Sequence, residues 1–237
     1  MMGCGKYSNF KPSKRPIGRL AQSTAAALIF VGTLGIVTAV RAETPTGVFT
    51  YTIYTDQFGK VGNFTNVVRS EGASIIVESR TEIAVKMLFV TVFHFFATST
   101  AVWEQGRIIR YEGFIDDNGR TSKVSAHADG DKLVIDGAAG RVIVPAGVYP
   151  HNPWNIGILG ARAIMSPKSG KLFPAKISGG HTEDVERAGK SLKTVIYRID
   201  TDRSTWVWYG RNDIPIKFVM ERKRGRELLT FMLAESD

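Results

Sequence analysis

The chain of 237 residues has one cysteine, Cys4. An intrachain disulfide is therefore impossible, and so is any site built from several thiolates. Histidine is nearly as scarce: His94, His127, His151 and His181 are the four, and no His-x-His or His-Glu-x-x-His spacing links them. A metal site would have to be assembled from distant residues, so none is expected. Also missing are a Gly-x-Ser-x-Gly elbow, a Gly-x-x-x-x-Gly-Lys-Ser/Thr phosphate loop and a Gly-x-Gly-x-x-Gly dinucleotide fingerprint. These absences remove the commoner routes to catalysis, and no cofactor is expected.

Long apolar runs are lacking too. The longest, Ala25 to Val40, covers about sixteen residues and is broken by Gly32, Thr33, Gly35 and Thr38, short of the roughly 20 needed to span a bilayer. It follows a basic stretch ending at Arg19 and precedes Val40-Arg41-Ala42, with compact residues where a signal peptidase inspects the chain. Residues 1–42 are read as a cleaved signal peptide. That leaves residues 43–237 as a single periplasmic β-rich domain with no spanning segment. Cys4 precedes the apolar run, so it is not the lipidated cysteine of a lipoprotein.

The formal charge of +9 looks like a nucleic-acid signature until it is located. Six of the 31 basic residues (Lys6, Lys11, Lys14, Arg15, Arg19 and Arg41) precede Glu43, the first acidic one, and the remainder carries 25 basic against 22 acidic residues. No nucleic-acid partner is expected.

From Gly47 onward the dominant pattern is period two. Ile75, Val77, Ile83 and Val85 oppose Glu78, Arg80, Glu82 and Lys86; Ile214, Ile216, Phe218 and Met220 share a face opposed by Lys217. Between such runs lie Asp116-Asp117-Asn118-Gly119, Ala128-Asp129-Gly130-Asp131, Arg187-Ala188-Gly189-Lys190 and Lys223-Arg224-Gly225-Arg226, which supply the residues tight hairpins need. The fold class is all-β: an antiparallel meander of about ten to thirteen strands, too many to remain flat, curled into a barrel or half-barrel. Asn155 to Ile164 carries apolar residues at helical spacing and predicts one short helix of two or three turns, with Asn155 as its N-cap. Met87 to Phe96 reads as one strand apolar on both faces, which requires a cover of helix, second sheet, partner or ligand on its second face.

One ordered set of residues resembles a known family. It comprises Val85-Lys86-Met87-Leu88-Phe89, Trp103 followed by Gly106, the Asp116–Gly119 hairpin, the Pro150–Asn155 loop, and Trp208-Tyr209 ahead of the strand from Ile214. This order is similar to that of a proteobacterial family of exported, all-β domains of unknown function. The resemblance implies a fold and an exported address for the whole mature chain, and no reaction.

Within Val148–Asn155, His151, Trp154 and Asn155 form a compact group: a titratable ring, an aromatic plate and an amide. Two readings stand. In one the loop is structural, Pro153 setting its angle, Asn155 capping the helix and Trp154 plugging one end of the barrel. In the other it rims a pocket with His151, Trp154 and Asn155 as ligand contacts, joined by Phe89, Phe93, His94 and Phe96 of the apolar strand. His94 on an apolar face is more often a hydrogen-bonded core residue than a base. The favoured function is binding or carrying a lipid or other apolar or amphipathic small molecule in a curved-sheet cavity. The alternatives are a cell-envelope scaffold or protein-partner module, and a hydrolase using His151 or His94. Protein partners are left unassigned.

Overall fold

The alternating segments are strands in a computed structural model of the chain, which describes residues 44–87, 90–222 and 227–235. The leader at residues 1–42, Cys4, Leu88, Phe89 and the basic turn at residues 223–226 lie outside the described residues. Eight strands run in succession: β1 (Gly47–Thr55), β2 (Gly59–Glu71), β3 (Ser74–Met87), β4 (Val90–Glu104), β5 (Arg107–Asp117), β6 (Arg120–Asp129), β7 (Lys132–Gly137) and β8 (Gly140–Pro145). A bridging segment follows, with β9 (Val148–Pro150), a 3-10 helix (Ile156–Gly160), β10 (Ala163–Met165) and β11 (Leu172–Pro174). The chain ends in β12 (Lys176–Arg187), β13 (Lys190–Asp200), β14 (Ser204–Tyr209), β15 (Pro215–Arg222) and β16 (Glu227–Leu233).

Thirteen of these strands form one antiparallel sheet in the order β12-β13-β14-β15-β16-β1-β2-β3-β4-β5-β6-β7-β8. The start and finish of the domain meet in its middle, where β1 pairs with β16 in the register Tyr51↔Leu233 and Ile53↔Phe231. β8 and β12 remain the two edges, so the sheet is not closed. It is nevertheless folded over. β4 and β15 are five strand spacings apart, roughly 24 Å on a flat sheet, yet the Arg222 guanidinium lies 4.2 Å from the centre of the Phe93 ring. The result is a half-barrel, or trough.

The bridging segment carries the chain from the β8 edge to the β12 edge and packs against the concave face. β9 pairs parallel with β10 and β10 antiparallel with β11, a small second sheet. Its Val148, Tyr149, Trp154, Ile158, Ala161, Ile164 and Met165 join Tyr51, Ile53, Val77, Trp103 and Ile135 in one buried core. Gly137 lets this segment sit close to the sheet, since a Cβ there would lie 2.5 Å from the Ser169 carbonyl oxygen.

Two expectations change. The helix is a single 3-10 stretch, Ile156–Gly160, and Ala161 and β10 after it are extended. Asn155 does cap it, its side-chain oxygen accepting from the Gly157 amide at 2.8 Å. Gly157 and Gly160 weaken longer helix propagation, and Ala163–Met165 instead finds strand partners on both sides. Nor is Met87–Phe96 one strand. Met87 pairs with Val90 across the β3–β4 hairpin, and on β4 the outward residues Val90, Val92 and His94 are exposed, the two valines at 63% and 51%. Only the inward face, with Phe93 and Phe95, packs against the core.

Candidate functional site

Inward side chains alternate along β4 as Phe93, Phe95, Ala97, Ser99, Ala101 and Trp103. At one end Trp103 meets Tyr149 and Trp154, with ring centroids 4.7 and 5.9 Å away. The trough is full there. In the middle the side chains shrink: Ala97, then Ser99 paired with Gly113 of β5. Tyr111 folds over Gly113, where a Cβ would stand 2.7 Å from the phenol oxygen. Beyond them the trough is hollow, with a cavity of about 830 Å³ that is partly open to solvent.

The floor of the cavity is aromatic. Phe64, Phe93, Phe95, Phe218 and Phe231 line it, with Ile83, Met220 and Leu229. Phe218 and Phe231 stack at 4.2 Å, and Phe64 stands edge-on to both at 5.9 Å. The edge-on contacts of Phe64 are of the kind the ring quadrupoles favour. Polar groups edge the cavity: Ser79, Asn152, His151, Asp117, Lys168, Arg203 and Arg222.

The 150–155 loop is pinned to the strands by hydrogen bonds that are mostly half-buried. Asn152 and Asn66 exchange amide bonds of 3.0 and 3.4 Å; Ser79 donates to Asn66 Oδ1 at 2.7 Å and accepts from Asn152 at 3.0 Å. From the other side the Tyr209 hydroxyl donates to the Asn155 carbonyl oxygen at 3.0 Å and approaches that of Pro153 at 3.4 Å. Burial raises the Tyr209 phenol pKa well above its ordinary value, so it remains a donor.

His151 turns its ring toward β14, Nε2 lying 2.9 Å from the fully buried Thr205 hydroxyl. The residue is half-buried and borders the cavity. Desolvation pulls its pKa down to about 4; the Arg203 positive charge pushes the same way and Asp202 opposes it. The imidazole is therefore neutral near pH 7.

The residues singled out from sequence separate into three groups. His151 and Phe93 line the cavity. Trp154 is buried in the filled end and Asn155 caps the 3-10 helix; neither is on the cavity wall. His94 and Phe96 point away from the cavity. His94 is exposed, its amide donating to Asn118 Oδ1 at 2.7 Å, and Phe96 lies 4.8 Å beneath Arg80 and beside Phe114. Phe89 lies outside the described residues. Sequence reading left Phe64, Phe95, Phe218, Asn66, Asn152 and Arg203 out of the site. Period-two alternation placed Phe95 and Phe218 on strand faces; no local pattern marked the others.

No described helix is long and apolar enough to cross a membrane, and among the described residues no group of three His, Cys, Asp or Glu could hold a metal ion.

A family described as a domain of unknown function (DUF6134) matches residues 51–230. No curated protein matches the chain. Among solved structures, a beta-barrel-like protein of the domain of unknown function DUF1849 from Brucella abortus aligns with TM-score 0.59 and 11% identity, over 80% of this chain and 96% of that one. At that identity the likeness shows the fold alone. A DUF1089 family protein from Pseudomonas aeruginosa, TM-score 0.29 at 9% identity over 73% and 89% of the two chains, carries no argument.

Proposed function

We propose that this chain, which belongs to the DUF6134 family of domains of unknown function, binds an apolar or amphipathic small molecule in the hollow end of its trough. The observation that carries the reading is the cavity of about 830 Å³ floored by five phenylalanine rings. Its size lies within the range that encloses small organic ligands, and an apolar floor with a few polar groups at the edge is the usual composition of such sites. A lipid or related amphiphile meets that composition. The reading takes the domain as periplasmic after loss of residues 1–42, supported by the basic, apolar and small-residue order of that leader.

Hydrolysis has less support. The hydroxyl within reach of His151 belongs to Thr205, which is fully buried and cannot meet a substrate, and His94 stands on the opposite face of β4.

The test is organic extraction of the full chain purified from a Gram-negative host, with mass spectrometry of the extract and titration of the delipidated protein with an environment-sensitive naphthylamine probe. Released amphiphile near one per chain and saturable probe uptake are expected. A clean extract together with no saturable uptake would overturn the reading.

A further inference from the structure

The mouth of the cavity carries three acids, Asp117, Asp202 and Glu221, and three cations, Lys168, Arg203 and Arg222. Their charges cancel; their commitments do not. Lys168 and Asp117 neutralise one another across 2.6 Å. Glu221 accepts from the Ser204 amide at 3.1 Å, and Asp202 accepts from the Thr201 hydroxyl at 3.3 Å. Among the described residues the two guanidiniums are held more loosely. Arg203 Nη2 is 3.7 Å from Asp202 and Arg222 Nη1 is 3.7 Å from Glu227, both longer than a hydrogen bond.

Their positions matter as much as these long contacts. Arg203 immediately precedes β14 and Arg222 ends the neighbouring strand β15, so both stand at one end of the aromatic floor. Arg222 lies with its guanidinium carbon 4.2 Å over the Phe93 ring, and a stacked guanidinium keeps its N–H edges available for a planar or tetrahedral anion. The cation is thus mounted on the apolar wall itself.

We infer that the cavity selects single-chain amphiphiles with an anionic head, the head held at Arg203 and Arg222 and the chain lying on the Phe64, Phe93, Phe95 and Phe218 floor. The inference rests on the apolar-ligand reading above and adds the charge of the head. Carboxylate and phosphate heads share the chemistry.

Competition for the naphthylamine probe on the delipidated full chain decides it, with dodecanoate, dodecyl phosphate, dodecanol and inorganic phosphate kept below micelle formation at pH 8. Dodecanoate, dodecyl phosphate or both should displace the probe at least about tenfold more tightly than dodecanol, and the stronger head names the source. Inorganic phosphate should not compete. Arg203→Gln and Arg222→Gln should each cut the preference of the anionic compounds over dodecanol several-fold and together abolish it. Added salt should weaken the anionic compounds alone in the unmodified protein, a readout that does not depend on a variant folding. Equal binding of dodecanol and both anions overturns the charge selection while leaving the apolar reading standing. A preference that survives the double substitution overturns the assigned head site. Competition by inorganic phosphate overturns the requirement for a chain, and no displacement by any compound overturns both readings.

Discussion

The two ends of β4 are built from the same alternation and come to opposite results. At Trp103 the concave face is met by Tyr149 and Trp154 from the bridging segment, and the rings close on one another at 4.7 and 5.9 Å. Eight residues earlier, roughly 26 Å along an extended strand, Phe95 faces the cavity instead. The difference comes from what the bridging segment supplies. Where it presents Trp154, Ile158, Ile164 and Met165 it completes a core; where it presents Pro150, His151 and Asn152 it stops short and forms a wall. One end of the trough therefore holds the fold together, and the other is left hollow.

Truncations at the two ends should separate these roles. Trp154→Ala removes a buried ring from the filled end and should cost about 3–5 kcal/mol in denaturant unfolding. Trp154→Phe should lose much less, because the indole N–H has no hydrogen-bond partner among the described residues and its removal leaves no orphan behind. A small loss from Trp154→Ala would break the contrast.

The His151 wall should respond to acid. The folded pKa of His151 is about 4 against an ordinary 6.5, so folding favours the neutral ring. Its contribution is complete above about pH 6.5, declines as falling pH protonates the unfolded chain first, and is gone below about pH 4, a total of about 3 kcal/mol. Denaturant midpoints measured across that window should fall in the unmodified protein and fall less in His151→Gln.

Next in size is the amide cluster that holds the wall in place. Asn66→Ala withdraws bonds from both Asn152 and Ser79, and a loss of about 1–3 kcal/mol is expected in the same assay. Smallest is Phe95→Ala. Its half-buried ring already borders open space, so a cost of about 1 kcal/mol is expected, with probe affinity lowered at the same time. A Phe95→Ala cost equal to that of Trp154→Ala would erase the distinction between the ends.

Much of the architecture was legible in single residues. The alternation of Ile75, Val77, Ile83 and Val85 placed β3, and Asn118-Gly119 and Gly189 take the positive φ their types suit, while Ala188 takes it against its type. The β3–β4 reversal was not legible: Met87-Leu88-Phe89-Val90 contains none of the turn residues that announce a hairpin, so the run looked like one strand. The helical spacing of Asn155–Ile164 was real but was outweighed by strand pairing of Ala163–Met165. In the site, His151 was legible as unusual and its partner was not, because Thr205 is 54 residues away. Asn66 and Asn152 are joined across 86 residues, and neither is remarkable in its own neighbourhood. The hollow itself arises from small side chains at Ala97, Ser99 and Gly113 on adjacent strands, a juxtaposition that appears only when the register is known.

The most direct measurement is to fill the hollow and leave the rest alone. Ala97 is inward, lines the cavity and is paired with Thr81 and Ile115. Ala97→Trp should keep an unfolding midpoint close to that of the unmodified protein while lowering affinity for the naphthylamine probe at least about tenfold, because the added ring occupies the space the ligand needs. A variant that folds normally and binds the probe as tightly as before would contradict the account.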